Sequence, residues 1–365
     1  MSGPRRVLVV NAGSSSLKLR VLEGLEVTAT SDLATDKDGF DRDGLADFLH
    51  DTQVDAVGHR VVHGGTRFTE PTGLDDDVVK QLRGLTDLAP LHQPKSLAGI
   101  DAVCAELPDV PAVACFDTAF HSTLTEAAST YALPLDWRQR WSVRRYGFHG
   151  LSHAYAARRA AEIVGRPPGE LRVVVCHLGA GASLCAVDAG RSVDTTMGFT
   201  PLEGLVMATR SGSVDPGLVL WLQGHAGLTA HEVAETLEHD SGLLGLGGSK
   251  DMPELLDRAE RGDERARLAI DVYVHRLVAG IAAMTASLGG VDALVFTGGV
   301  GEHAPAIREA AAERLAFLGV RVDPRRNAVA SGDAEIGTRE TPVRTVVVEA
   351  REDLEIVRGV RAVLG

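Results

Sequence analysis

Several short stretches of this 365-residue chain concentrate the residue types that bind anions. Asn11-Ala12-Gly13-Ser14-Ser15-Ser16-Leu17-Lys18 follows the apolar run Val7–Val10. So little side-chain bulk lets backbone N–H groups and three hydroxyls face one ligand, with Lys18 as a cation within reach; that set suits a phosphate. It is not a Walker A loop, which spaces two glycines around Gly-Lys-Ser/Thr and runs directly into a helix. On local grounds alone, a plain turn between two strands explains it more simply. A second stretch of the same make-up, His177-Leu178-Gly179-Ala180-Gly181-Ala182-Ser183, follows Val173–Cys176. Two further apolar runs end in His59-Arg60 and Phe116-Asp117. Arg144–His153 packs two arginines, two histidines and two aromatics into ten residues, and Thr195–Asp215 strings Pro201, Arg210 and Asp215 along a glycine-broken apolar segment. Any one of these has a structural reading. A lone buried histidine is more often hydrogen-bonded core than catalyst, and Arg145 or His153 can serve only to pin a loop.

The elements that must position these residues follow from the apolar pattern. Val7–Val10, Leu17–Leu22, Ala56–Val62 and Val110–Cys115 read as strands, with Asp36–Asp43 an exposed loop between them. Leu97, Ile100, Val103 and Leu107 mark a helix that Pro94 starts and Pro108 stops. Ser152 is placed to cap a helix running to Val164, with Gly165 as its terminator. Gly242–Gly248 reads as a flexible connector. Ile270, Val274, Leu277, Ile281, Met284 and Leu288 lie on one face of a long helix closed by Gly289-Gly290. The strand Ala293–Thr297 then leads into Gly298-Gly299-Val300-Gly301-Glu302, and Pro305 begins another helix, a general nucleotide-binding layout. Thr345–Val348 is a last strand before a terminal helix. Strands and helices alternate throughout, so the chain is α/β, and polar residues at the carboxyl ends of such strands usually line the ligand crevice.

The two small-residue hairpins stand about 166 positions apart and share one plan: apolar strand, polar residue (Asn11, His177), loop, then a strand beginning near a leucine. That repeat suggests a duplicated domain, each half offering one hairpin to a shared cleft. Length points the same way, because a chain this long is expected to form two domains. A net charge of −13 argues against nucleic acid or an anionic membrane as partner, and no run of 18 apolar residues predicts a membrane span. The apolar segment after Arg5-Arg6 is too short for a signal peptide. Cys104, Cys115, Cys176 and Cys185 lack metal-site spacing and read as buried free thiols of a reducing, cytoplasmic setting.

Taken together, seven blocks resemble the acetate kinases, in order along nearly the whole chain. They are Asn11–Lys18, Gly58–Gly65, Phe116–His121, Tyr146–His153, Met197–Leu205, Thr209–Pro216 and Phe296–Glu302. The resemblance implies two duplicated ribonuclease H-like (actin-like ATPase) domains with an interdomain active-site cleft. It sets the first as 1–121 plus 353–365 and the second as 122–352. It implies phosphoryl transfer from ATP to acetate, with Mg²⁺ (or Mn²⁺), in a homodimer. By the same resemblance Arg60 and Arg210 grip acetate and the transferring phosphoryl, and His149 donates to it in the transition state. Asp117 is the acidic group beside phosphoryl and metal, and Asn11 and Glu352 match metal-associated positions. Val62, Leu91, Phe148 and Pro201 form the acyl pocket with Arg60. His92 and His177 line the phosphate path. Lys18, Ser14, Ser16, His177, Leu178, Gly179, Ala180, Gly181, Asp251, Gly299, Val300, Gly301 and Glu302 fall on the ATP side.

The chain also departs from the family pattern. Ala180 stands where asparagine is usual, Gln93 replaces asparagine in the block Leu91–Pro94, His303 follows Glu302 where asparagine is common, and Pro253 takes the place of an arginine near the adenine pocket. These changes bear on nucleotide affinity more than on acyl phosphate chemistry. A propionate or butyrate kinase is a second reading, against which Val62 and Phe148 argue mildly. A nucleotide-binding homologue with weak turnover is a third.

Overall fold

A computed structural model describes residues 3–12, 16–36, 39–89 and 92–365. The chain divides into two compact units. The first comprises Met1–Ser122, Phe148–Tyr155 and Arg351–Gly365, the second Thr123–Gly147 and Ala156–Ala350.

The first unit is built on β1 (Arg6–Ala12), β2 (Ser16–Glu23), β3 (Glu26–Asp36), β4 (Gly39–Phe40), β5 (Ala56–Val61), β6 (Thr72–Gly73) and β7 (Ala112–Phe116), in the order β4-β3-β2-β1-β5-β7-β6. β1 and β2 form an antiparallel hairpin, whereas β5 and β7 add in parallel beside β1. Side chains of β1 alternate between two cores: Leu8, Val10 and Ala12 join one, Val7 and Val9 the other. Both faces of the strand are therefore buried, which is why it reads as a continuous apolar run rather than an alternation. The helix Glu352–Leu364 covers the second face with Ile356, Val357 and Val360.

The second unit holds β8 (Arg172–Leu178), β9 (Ala182–Asp188), β10 (Arg191–Thr195), β11 (Ala293–Thr297), β12 (Ala334–Glu335) and β13 (Arg344–Val347), ordered β10-β9-β8-β11-β13-β12. Its plan matches the first: an antiparallel hairpin, two strands added in parallel to the first of that pair, and a two-residue antiparallel edge. Each unit is thus an α/β copy of the same topology, the arrangement that the hairpin repeat suggested. The helix Glu264–Ser287 is long and apolar enough to cross a membrane by length and composition, but Tyr273, Val274, Leu277, Ile281 and Met284 are buried within its own unit.

Four expectations need correcting. The Asp36–Asp43 stretch is not simply a loop: β4 pairs with the end of β3, and Asp41 caps a helix, Arg42–His50, through a hydrogen bond from Gly44 N at 3.0 Å. That helix is held by Leu45 and Leu49, spaced four apart and both buried. Ser152 is not a cap but lies inside the helix Gly150–Val164, 2 % exposed. Gly242–Gly247 is a short helix ended by Gly248, not a connector, with Leu243 packed inward. Finally, Phe148–Tyr155 belongs with the first unit rather than the second, because Gly150 N donates to Asp117 O at 2.9 Å and Leu151 packs beside Cys115 and Ile356. Of the cysteines, all free, Cys104 is only half-buried.

Candidate active site

In the first unit, β1, β5 and β7 are neighbours running the same way, so residues at their carboxyl ends arrive at one edge. Asn11 lies near the end of β1, Arg60 near the end of β5, and Asp117 follows β7. They meet there. Arg60 Nε donates to both Asp117 oxygens at 3.1 and 3.2 Å, one Nη donates to Asp117 Oδ2 at 2.6 Å, and the other to Asn11 Oδ1 at 3.0 Å. Glu352, which opens the terminal helix, places a carboxylate oxygen 3.9 Å from Arg60 Nε. Burial works against the guanidinium charge, but Asp117 and Glu352 outweigh it and hold the Arg60 pKa above its ordinary value. The Asp117 side chain is only 2 % exposed and that of Arg60 18 %, so the pair sits where water screens it weakly.

Val62 and Phe148, both buried, lie in this unit. The Phe148 ring packs edge-on against His63, centroids 5.6 Å apart. His149 follows with a left-handed backbone, φ +58°. Lys18 is exposed on β2, its Cα paired with that of Asn11 across the hairpin; Ser16 opens the same strand. Ser14 and Leu91 lie outside the described residues. His92 is half-buried at the N-terminus of the helix Gln93–Glu106.

Gln93 is a residue whose role the sequence did not disclose. Fully buried, it accepts from His63 N at 3.2 Å and donates to His63 O at 3.2 Å, holding the peptide groups on either side of the His63 Cα. A longer amide at this position is therefore compatible with an ordered loop after Val62.

The second unit repeats the edge. His177 is the penultimate residue of β8, opposite Thr297 at the end of β11, with the hairpin Leu178–Ala182 on one side and Gly298–Glu302 after the other. Ala180 is exposed, and its carbonyl accepts from Ala208 N at 3.1 Å, so the hairpin touches the segment leading to Arg210. Arg210 donates to the Pro201 carbonyl at 2.7 Å and stands 3.6 Å from Glu238. Burial raises the Glu238 pKa, a shift that Arg210 opposes. Gly242 lies under this turn: its φ is +61°, and a Cβ there would sit 2.2 Å from Met207 O and 2.6 Å from Arg210 O.

The loop carrying Pro201 is pinned by a network spread over 72 positions. Arg145 donates to the carbonyls of Thr196 and Met197 at 3.1 and 2.9 Å and to Glu203 at 2.7 Å. The Tyr131 hydroxyl donates to Glu203 at 2.5 Å and accepts from Phe199 N at 2.9 Å. Arg145 is thus a loop pin, one of the two readings its sequence allowed.

Two residues expected on the ATP side accept hydrogen bonds from backbone N–H groups. Asp251 caps the helix Met252–Glu260 by accepting from Glu254 N at 2.9 Å, with Pro253 in the first turn where its missing N–H costs nothing. Glu302 accepts from Gly298 N at 2.9 Å and Ala350 N at 3.0 Å. Gly299 is exposed, Val300 half-buried and Gly301 buried in the short helix Gly298–His303.

The family model described as the acetokinase family matches residues 43–358. An acetate kinase of Leifsonia xyli subsp. xyli is 48% identical over 96% of this chain and 97% of its own length. The crystal structure of Porphyromonas gingivalis acetate kinase is 36% identical with a TM-score of 0.92, covering 99% of this chain and 100% of that one. A propionate kinase from Francisella tularensis subsp. tularensis is 34% identical with a TM-score of 0.93 over 98% and 99%. The chain belongs to the acetokinase family.

Proposed function

We propose that this chain is an acetate kinase, transferring the γ-phosphoryl of ATP to acetate by direct in-line displacement to give acetyl phosphate and ADP, reversibly. The carrying observation is the convergence of Arg60 with Asp117, Asn11 and Glu352 at the ends of three adjacent parallel strands. Acetate is already ionised at neutral pH, so no general base is needed to create the nucleophile. The difficulty is bringing two anions together and stabilising charge on the transferring group, which calls for fixed cations and neutral donors. Arg60 and Arg210 supply planar guanidinium groups, each held by backbone or side-chain acceptors, and planar forks suit carboxylate and phosphoryl oxygens better than a lysine would. His149 is assigned as donor to the phosphoryl in the transition state. Val62, Leu91, Phe148 and Pro201 are assigned to the acetate methyl group. The small-residue hairpins at Asn11–Lys18 and His177–Gly181 are assigned to the nucleotide phosphates.

Mg²⁺ is part of the proposal. Among the described residues no three His, Cys, Asp or Glu side chains group to hold a metal. Asp117, Glu352 and Asn11 are nevertheless hard oxygen donors already facing a cation, the Arg60 guanidinium. Mg²⁺ commonly takes one or two carboxylates and completes its shell with phosphate oxygens and water, so these residues fit it in that mode. When bound, the ion supplies charge neutralisation across the β- and γ-phosphates. A homodimer is also proposed, supported by the exposed Leu218, Leu220 and Trp221 of the helix Pro216–His225; light scattering on the purified protein tests it.

The deciding experiment is hydroxamate detection of acetyl phosphate from purified protein, Mg-ATP and millimolar acetate. Product formation is expected. Measurable ATP binding with no product would end the proposal.

A further inference from the structure

His149 has a Cβ yet holds φ +58°, a backbone region that such residues occupy only when their surroundings over-determine it. Three hydrogen bonds do so. Gly150 N donates to Asp117 O at 2.9 Å, and a Cβ on Gly150 would sit 2.2 Å from that oxygen, so the chain after His149 is pressed onto the Asp117 peptide. His153 N donates to His149 O at 2.9 Å within the first turn of the helix. On the other side, the Phe148 carbonyl lies 3.0 Å from His121 Nε2.

We propose, resting on the acetate kinase reading for the role of His149, that His121 is a positioning residue: its Nε2–H donates to the Phe148 carbonyl and fixes the peptide from which His149 projects. A carbonyl oxygen only accepts, so the proton of the neutral ring must reside on Nε2. The ring is 1 % exposed, and its burial lowers the pKa to about 4, which keeps it neutral where the enzyme works. His153 and Phe120 brace it edge-on, with centroids 5.6 and 5.8 Å away. Four residues earlier, Asp117 pairs with Arg60. The single segment Asp117–His121 thereby sets both the carboxylate that orients Arg60 and the backbone that aims His149. A displacement of about 1 Å at a reacting group costs on the order of 100-fold in rate, so a residue that touches neither substrate can still govern turnover.

His121→Phe keeps an aromatic ring and removes the donor; His121→Gln retains an N–H that reaches the carbonyl. The Phe variant is expected to lower kcat about 10- to 100-fold with KM for acetate and Mg-ATP within about 3-fold, and the Gln variant to recover most of the loss. In a His149→Ala background, His121→Phe is expected to cost nothing further. Near-normal kcat in His121→Phe, or losses that multiply with those of His149→Ala, would overturn the assignment. Nitrogen NMR of the wild-type imidazoles tests it without any variant: His121 is expected neutral with the proton on Nε2, and a proton on Nδ1 overturns the proposal. That result stands whether or not the protein makes acetyl phosphate, so failure of the acetate kinase reading is told apart from failure of the positioning role.

Discussion

Arg60 grips Asp117 by three hydrogen bonds, two from Nε at 3.1 and 3.2 Å and one from a terminal nitrogen at 2.6 Å. Removing either partner leaves the other charge buried without its match, which typically costs about 3–5 kcal/mol. Arg60→Ala is therefore expected to lose stability by roughly that amount and turnover by at least about 100-fold. Arg60→Lys restores the charge without the fork, so it should recover stability in part and leave kcat/KM low. Urea unfolding and the hydroxamate assay check both. Near-normal kcat in Arg60→Ala would refute the assigned role.

Arg210 depends on a different device. Its turn rests on Gly242, where a Cβ would collide with Met207 O at 2.2 Å. Arg210→Ala is expected to remove about 100-fold or more of kcat and also to lower the melting temperature, because it leaves the Glu238 carboxylate, 12 % exposed, without the guanidinium 3.6 Å away. Gly242→Ala should do the reverse in emphasis, lowering stability first and turnover through the shifted guanidinium. If Gly242→Ala kept wild-type kcat and melting temperature, the turn would not be what holds Arg210.

The legibility of these features in the sequence follows from how local each one is. The hairpins were readable because β1 and β8 are buried on both faces and so appear as unbroken apolar runs that stop at Asn11 and His177. β3 was not, because Val27-Thr28-Ala29-Thr30-Ser31-Asp32 mixes small and polar residues whose strand identity comes from pairing with β2. Gly242–Gly248 looked like a hinge because glycine propensity is local, whereas its helix is imposed by Leu243 packing and by bonds from Leu243 N and Leu244 N to Met207 O and Ala208 O. The Tyr131–Glu203–Arg145 network has no sequence signature at all, since its members meet only after folding. Asp251 sits in a stretch read as nucleotide-facing, yet helix capping accounts for its hydrogen bond from Glu254 N, whereas Glu302 takes one backbone N–H from its own helix and one from Ala350, 48 positions on, which no local pattern announces.

Acid stability provides a third test. Burial lowers the pKa of His59 to about 3 and those of His63 and His121 to about 4, against 6.5 in the unfolded chain. Between those values the unfolded chain binds protons that the folded one refuses, so stability rises with pH through this window. It is fully present above about 6.5 and is lost as pH falls toward 4. Each group contributes a slope of about 1.4 kcal/mol per pH unit. Calorimetry from pH 7 to 4.5 should show a shallower fall of the melting temperature in His121→Gln than in wild type. Parallel curves would mean that His121 is not buried neutral.

The hairpin at Ala180 offers a gain-of-function test. Its backbone is fixed from two sides, with Gly179 N donating to Gly181 O at 2.9 Å and Ala208 N to Ala180 O at 3.1 Å. The Ala180 side chain is exposed, so an asparagine fits without displacing core. If this hairpin faces the nucleotide phosphates, Ala180→Asn adds one hydrogen bond, worth about 0.5–1.5 kcal/mol, and KM for ATP should fall roughly 2- to 10-fold with KM for acetate unmoved. On the proposed assignment of both hairpins to the nucleotide, the first is expected to carry the larger share in the native chain. Lys18→Ala, at an exposed strand position, should therefore raise KM for ATP, and Ala180→Asn should restore part of that loss. An Ala180→Asn enzyme with unchanged KM for ATP in both backgrounds would show that the two hairpins, alike in topology, do not share the nucleotide.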